Sequence, residues 1–178
     1  RHKAEVESLV SRFGVREVEI IDDAFNLDYA RTAEILDGLA TRRPGLRLLF
    51  PNGVRADLLD EAQIGRLRRA GTSYLSVAVE TAVPRLQALV RKDLRLDVVR
   101  RNIEVAAAQG IYVNGFFMLG FPTETLAEAR ATVDFAVRSR LHQAMFFNVV
   151  PFAGTELAEL VGPPDPPGAG AREPLDYH

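Results

Sequence analysis

The chain has 178 residues, of which 47% are hydrophobic and 26% charged, and its net charge is −2. These values are typical of one globular domain and give no global case for binding nucleic acid or an anionic membrane. No apolar run approaches the roughly 20 residues that span a bilayer, and the charged start lacks a signal peptide, so we expect a cytoplasmic protein. The sequence has no cysteine, which excludes disulfides, a thiol nucleophile and any Cys-ligated iron–sulfur site within these residues.

The spacing of apolar residues predicts helices and strands in alternation. A helical stripe ends at Gly14, and a strand over 18–21 precedes a helix over 28–42. The next strand, over 46–50, precedes a helix that Asp57 can cap and that runs to about residue 70. The elements predicted after it are strand 74–79, helices 84–90 and 97–109, strand 111–119, helix 125–138, strand 145–150 and a short helix from Thr155.

Strands separated by helices and short loops imply right-handed crossovers and a parallel sheet. Five such strands fit either a doubly wound sheet or part of a (β/α) barrel. The pattern begins with a helix that no strand precedes, as in a barrel without its first strand. We therefore expect an α/β fold, a partial (β/α)6 barrel with parallel strands, over residues 1–160. Residues 161–178 are rich in Pro and Gly and are predicted to be a tail or linker.

The segment 114–125 joins the end of a predicted strand to the start of a helix. The strand stops at Gly120, and a tight turn with Pro122 follows. Thr125 and Glu128 then have the spacing of a capping box, in which each side chain bonds an otherwise unpaired backbone donor. Small residues and free backbone N–H groups are thus predicted at the carboxyl end of a strand, where α/β proteins bind ligands.

Polar residues follow the other predicted strands at the same edge of the sheet. They are Asp22 and Asp23 after the first strand, Arg55 after the second, and Glu80 and Thr81 after the third. Gly115 and Gly120 lie at the fourth strand, and residues 148–151 lie at the fifth. An edge with groups of both signs suits a zwitterionic ligand that also has hydroxyls, since its ammonium, carboxylate and hydroxyls need opposite partners.

Each of these residues also has a purely structural interpretation. Asp22 and Asp23 can cap a loop or the next helix, Arg55 can form a surface ion pair, and Lys92 can be solvated. The glycines can serve close packing or the turn. Glu80 is harder to explain in this way, because a carboxylate at a buried edge needs a partner.

In their order and spacing these segments resemble the radical S-adenosylmethionine (SAM) superfamily, and most closely the branch that often has an N-terminal cobalamin-binding domain. The resemblance covers roughly residues 1 to 160 and rests on segments 21–25, 55–59, 70–71, 79–81, 89–92, 115–125 and 151–155. It implies an incomplete (β/α)6 barrel that holds a 4Fe-4S cluster and SAM at its open end. It also implies reductive cleavage of SAM to a 5′-deoxyadenosyl radical that abstracts a substrate hydrogen.

The resemblance implies a role for each polar residue at this edge. Asp22 and Asp23 would bind the methionine amino group of SAM, and Glu80 would bind the ribose hydroxyls. Lys92 and Arg55 would approach the SAM carboxylate. The remaining residues that the resemblance places around SAM are Thr81, Gly115, Gly120, Pro122, Asn148 and Val150.

The sequence departs from the family in one respect. The family holds its cluster with Cys-x-x-x-Cys-x-x-Cys in the loop after the first barrel strand, which would lie before Arg1. We therefore expect a truncated chain or an incomplete reading frame rather than a natural cluster-free relative. As it stands, the chain is expected to be unable to bind the cluster and to cleave SAM. The parent protein would supply the cluster loop, a cobalamin domain if it belongs to that branch, and the site for a small-molecule substrate.

Two alternatives remain open at this stage. The first is a non-catalytic, cluster-free barrel that binds a small molecule or a partner. The second is an unrelated (β/α) barrel enzyme, such as an aldolase or a metal-dependent lyase. Against the second, Lys92 falls in a loop or helix rather than on a strand, and the sequence has no compact carboxylate–histidine set.

Overall fold

In the part of the chain described below, five parallel strands form one sheet. The structure, a computed structural model, describes residues 2–22, 25–42 and 45–161. The strands are β1 (Glu17–Glu19), β2 (Arg47–Val54), β3 (Thr72–Glu80), β4 (Tyr112–Leu119) and β5 (Gln143–Asn148). The helices are α1 (His2–Phe13), α2 (Tyr29–Arg42), α3 (Glu61–Arg69), α4 (Pro84–Leu89), α5 (Leu96–Ala108), α6 (Leu126–Arg138) and α7 (Glu156–Val161), with a 3-10 helix at Ala56–Leu58.

The strand order decides between the two predicted architectures. The strands lie in the order β1-β2-β3-β4-β5, and every neighbouring pair is parallel. A doubly wound sheet reverses its strand order at one point, whereas this sheet advances in one direction, as a (β/α) barrel does. The predicted α/β partial barrel is therefore confirmed.

The main core lies between the sheet and the surrounding helices. Its largest fully buried side chains include Phe50, Phe117, Leu36 and Ile64. A residue of β4, Gly115, shows how closely this layer packs: a Cβ added there would lie 2.7 Å from a ring carbon of Phe117.

Most predicted element boundaries shift by only one or two residues, as at β5, which covers Gln143–Asn148 instead of the predicted 145–150. Two boundaries change by more. The predicted cap at Asp57 is wrong, because Asp60 caps α3 and its side chain accepts a hydrogen bond from the Gln63 N–H. Asp57 instead lies inside the 3-10 helix. β2 also continues beyond Phe50, since the chain resumes pairing with β3 at Val54 after an irregularity.

The capping box at the start of α6 is confirmed. The Glu128 N–H donates to Thr125 Oγ1 at 3.3 Å, and the Thr125 N–H donates to Glu128 Oε2 at 2.8 Å.

Among the described residues no helix is long and apolar enough to cross a membrane. Of the predicted tail, only Val161 belongs to the described residues, as the last residue of α7.

Candidate functional site

The carboxyl end of β3 has an unusual backbone. Glu80 has a φ of 64°, in the left-handed region that residues other than glycine seldom adopt. The N–H of Thr81 donates to the carbonyl of Val79 at 2.9 Å. A hydrogen bond between residues i+2 and i around a central residue of positive φ is a γ-turn of the rare, strained kind. Strain of this type persists only where the surroundings over-determine it, and it clusters at functional sites.

The side chains of Thr81 and Glu80 lie in different environments. The Thr81 hydroxyl is fully buried, shares a hydrogen bond of 3.1 Å with Thr132 Oγ1, and accepts another from the Val83 N–H. Thr81 therefore joins the end of β3 to α6, while the turn leaves the Glu80 carboxylate partly accessible.

Lys92 lies in the loop between α4 and α5 and pairs with this carboxylate. Its Nζ is 2.5 Å from Glu80 Oε1, and the two side chains are 21% and 22% exposed. The neighbours of Lys92 on both sides, Arg91 and Asp93, also have positive φ values of 52° and 46°. The structure thus brings together two of the predicted site residues, an acid and a base that remain accessible at the end of a strand.

The turn after β4 follows the strand that neighbours β3, and Glu80 pairs in register with Phe117 of β4. Gly120 has a φ of 84°, and open space surrounds the position of an added Cβ. The N–H groups of Gly120 and Phe121 donate to Glu124 Oε2 at 2.6 and 3.2 Å. The prediction of free N–H groups is therefore wrong for Gly120 and Phe121, since the Glu124 carboxylate accepts from both.

Arg85 of α4 connects the β3 end to the β4 turn. Its guanidinium donates to both carboxylate oxygens of Glu128, at 2.9 and 2.8 Å, and to the hydroxyl and carbonyl of Thr123. The hydrogen bonding of Arg85 to Glu128, together with the hydrogen bond from the Thr125 N–H, lowers the pKa of Glu128 from its usual 4.5 to about 2. The same pair raises the pKa of Arg85. Arg85 thereby links α4 to the turn between β4 and α6 and to the first turn of α6.

A second apolar cluster lies beneath these loops. Its buried members are Val83, Leu86 and Phe121, and Met118 and Val149 pack against them. The cluster packs α4 and the residue before it against the end of β4 and the residues that follow β4 and β5. Pro122 is half-buried at its margin, whereas Asn148 and Val150 at the end of β5 are exposed.

Arg55 forms an ion pair with Asp57. Its Nε and one terminal nitrogen donate to the two carboxylate oxygens of Asp57, both at 3.0 Å, and the Asp57 side chain is only 5% exposed. The hydrogen bond to Asp57 raises the pKa of Arg55 against the opposing effect of burial. The structure therefore gives Arg55 the ion-pair role that the sequence left open.

The remaining predicted site residues lie elsewhere. Asp22 accepts a hydrogen bond of 3.1 Å from Arg31, and both line a mainly apolar cavity of about 420 Å³ between α1, β1 and α2. Asp23 lies outside the described residues. Gly115 faces the α6 side, where an added Cβ would also come within 2.8 Å of Leu141, so close packing accounts for this glycine.

Sequence reasoning missed three residues of this region. Arg85, Gln87 and Glu124 hold its loops through side-chain hydrogen bonds. Gln87 had a signal, since it is a polar residue among the apolar positions of a short helix. Within the described ranges no group of three His, Cys, Asp or Glu side chains could hold a metal ion.

Comparison with known proteins now identifies the family. The sequence profile of the Radical SAM superfamily matches residues 2–136. The chain belongs to the radical SAM superfamily. Membership rules out the unrelated aldolase or lyase considered above, and it agrees with the one-directional sheet and with the order of the matched segments.

Two methyltransferases are among the relatives of this radical SAM chain. It is 30% identical over 160 residues to cytidylyl-2-hydroxyethylphosphonate methyltransferase of Streptomyces wedmorensis, covering 86% of this chain and 30% of that protein. It is 28% identical over 155 residues to an uncharacterized methyltransferase of Pyrococcus horikoshii, covering 87% and 33%. The chain thus spans about a third of the length of the curated relatives it matches.

Solved structures share the fold. The radical SAM methyltransferase TsrM of Kitasatospora setae, with cobalamin and a 4Fe-4S cluster bound, superposes with a TM-score of 0.75 at 22% identity, over 84% of this chain and 30% of that one. Coproporphyrinogen III oxidase of Escherichia coli gives a TM-score of 0.64 at 16% identity, over 85% and 38%. These likenesses confirm the partial radical SAM barrel.

Proposed function

We propose that this chain is the SAM-binding part of a radical SAM methyltransferase. The observation that supports this most is the Glu80–Lys92 pair, which a strained turn holds at the carboxyl end of β3. Family membership and the methyltransferase relatives support the same assignment. The proposed partner of the whole protein is a small-molecule substrate, as in the TsrM structure with tryptophan and a SAM analogue.

The two side chains suit different parts of SAM. The Lys92 ammonium would donate to the carboxylate of the methionine part, and the Glu80 carboxylate would accept from ribose hydroxyls. In the structure the two groups satisfy each other, so the ligand would replace an ion pair that is already one-fifth exposed. SAM itself supplies an electrophilic methyl group and a carbon–sulfur bond that can be cleaved reductively; this chain would bind and orient it.

The 4Fe-4S cluster of the family does not fit the residues present. Such clusters are held by Cys thiolates, and the sequence contains none. We therefore assign no step of the reaction to a cluster on this chain. In the proposed parent protein, the cluster and the cobalamin of that branch would be held by residues outside these 178.

The binding test compares two ion pairs whose basic residues, Lys92 and Arg91, are neighbours in one loop. Glu80→Gln and Lys92→Met are each expected to raise the dissociation constant for SAM about tenfold, because one lost charged hydrogen bond costs about 1.4 kcal/mol. Arg91→Met and Glu156→Gln remove the neighbouring pair, which is about 75% exposed, and should leave the constant unchanged. Isothermal titration of the 178-residue chain with SAM would measure all five proteins.

Two results would contradict the proposal. One is the absence of saturable SAM binding to the wild-type chain, and the other is an equal effect of all four substitutions. A separate experiment concerns the missing thiolates: after anaerobic treatment with iron and sulfide and addition of a reductant, SAM should remain intact. Formation of 5′-deoxyadenosine above the protein-free level would show that the chain holds a working cluster without cysteine.

A further inference from the structure

Gln87 is a buried glutamine whose side-chain amide is fully used. It lies in α4 and is 2% exposed. Its Nε2 donates to the carbonyl oxygens of Val79 and Thr81 at 2.7 and 2.5 Å, and its Oε1 accepts from the Leu94 N–H at 3.3 Å. A buried amide costs free energy unless it is hydrogen-bonded. These three hydrogen bonds offset the cost of burying the Gln87 side chain.

The two carbonyls that Gln87 binds lie on either side of Glu80. Oxygens that lie within 2.7 and 2.5 Å of one nitrogen are closer together than the roughly 6.6 Å by which an extended strand advances over two residues. One amide group could not bind both carbonyls if β3 continued straight through Glu80. The side chain of Gln87 therefore stabilises the γ-turn over the extended alternative.

Gln87 also holds the loop that contains Lys92. Its main-chain carbonyl accepts from the Lys92 N–H at 3.0 Å, and its side chain binds Leu94 two residues further on. Between these two contacts lies Asp93, which has a positive φ. One residue is thus bonded to the backbone on both sides of Glu80 and on both sides of Asp93.

We propose that Gln87 is a positioning residue that sets the placement of both Glu80 and Lys92 for ligand binding. It acts through these two side chains and does not itself contact the ligand. The inference rests on the proposed function, in which the Glu80–Lys92 pair binds SAM. It adds that the strained turn and the loop are one preorganised unit with the Gln87 amide at its centre.

The first test uses a matched pair of buried glutamines. Gln87→Met removes the amide and keeps a flexible side chain of similar length. Gln63→Met is the control, because Gln63 is 1% exposed in α3 and its amide has no hydrogen-bond partner in the described part of the chain. By isothermal titration with SAM, Gln87→Met should weaken binding about tenfold, and Gln63→Met should leave it unchanged.

A double-mutant cycle separates positioning from general destabilisation. In the background of Glu80→Gln with Lys92→Met, adding Gln87→Met should have no further effect on SAM affinity, because its effect is transmitted through those two residues. A further tenfold loss in that background would contradict the inference. If Glu80→Gln and Lys92→Met weaken SAM binding while Gln87→Met does not, this inference alone is wrong. If none of the three weakens it, the proposed function fails.

A measurement without ligand covers the case in which Gln87→Met is folded but too unstable for titration. Glycine adopts positive φ without a steric cost, so Glu80→Gly relieves the strain that Gln87 offsets. Gln87→Met should then lower the urea midpoint of unfolding much less in the Glu80→Gly background than in the wild-type chain. Equal losses in the two backgrounds would show that Gln87 does not hold this turn.

Discussion

At the scale of single residues, the open end of the sheet contains ion pairs of two kinds. The pair of Glu80 and Lys92 is accessible, whereas Asp57 in the pair with Arg55 is almost fully buried. The sequence placed Glu80 at a strand end, Arg55 after a strand, and Lys92 in a loop or helix. It could not show which partner each would choose, because the choice depends on how α4, the 3-10 helix and the loops pack.

The pair with the buried Asp57 carboxylate should matter for stability. Arg55→Met leaves the Asp57 carboxylate without its two hydrogen bonds in a site that is 5% exposed. We expect the free energy of unfolding to fall by about 1–3 kcal/mol, because an unpaired buried charge is costly. Urea denaturation followed by circular dichroism would measure the change.

The control for this substitution is Arg91→Met, which removes an exposed ion pair and should change stability by less than about 0.5 kcal/mol. Adding Asp57→Asn to Arg55→Met should restore part of the loss, since a neutral amide is cheaper to bury than a carboxylate. Equal stabilities of the Arg55→Met and Arg91→Met variants would refute the structural role of the pair.

At the scale of elements, local signals predicted most of the order of helices and strands. The Thr125 capping box was read correctly because both of its partners lie within one turn of helix. β2 was predicted to stop at Phe50, before Pro51. It continues to Val54 because Val54 pairs with Val77 of β3, which is a tertiary contact that the local sequence does not reveal.

The capping box also predicts a dependence of stability on pH. The Arg85 guanidinium, with the Thr125 N–H, lowers the pKa of Glu128 in the folded chain to about 2, below the usual 4.5. A carboxylate whose pKa is depressed on folding stabilises the fold above its unfolded pKa and loses that contribution as pH falls. The contribution of Glu128 should therefore be complete above pH 4.5 and decline between 4.5 and about 2.

Melting temperatures of the wild-type chain and of Glu128→Gln across this pH range would test the prediction. The variant should melt lower at neutral pH, and the difference should shrink as the pH falls below 4.5. Glu104→Gln, at an exposed position of α5, controls for the removal of a carboxylate as such. A difference that stays constant down to pH 2 would mean that Glu128 is not the titrating group.

At the scale of the whole molecule, the sheet has two edges in the described residues, at β1 and at β5. All six side chains of β5 are exposed. Val133, Val137 and Phe146 line an apolar groove of about 210 Å³ between α6 and β5. The sequence predicted the parallel sheet and an open barrel, but it could not show that the more exposed edge would be at β5, because burial depends on what packs against each strand.

An exposed strand edge beside an apolar groove favours association between chains. We expect the 178-residue chain to associate as its concentration rises, and Val137→Lys to shift it toward monomer, because Val137 is 77% exposed in this groove. Leu27→Lys adds the same charge at a residue that is 59% exposed and follows β1 at the opposite edge, so it should leave association unchanged. Sedimentation velocity over a concentration series distinguishes these cases. A wild-type chain that stays monomeric throughout, or equal effects of the two lysines, would show that the β5 edge does not drive association.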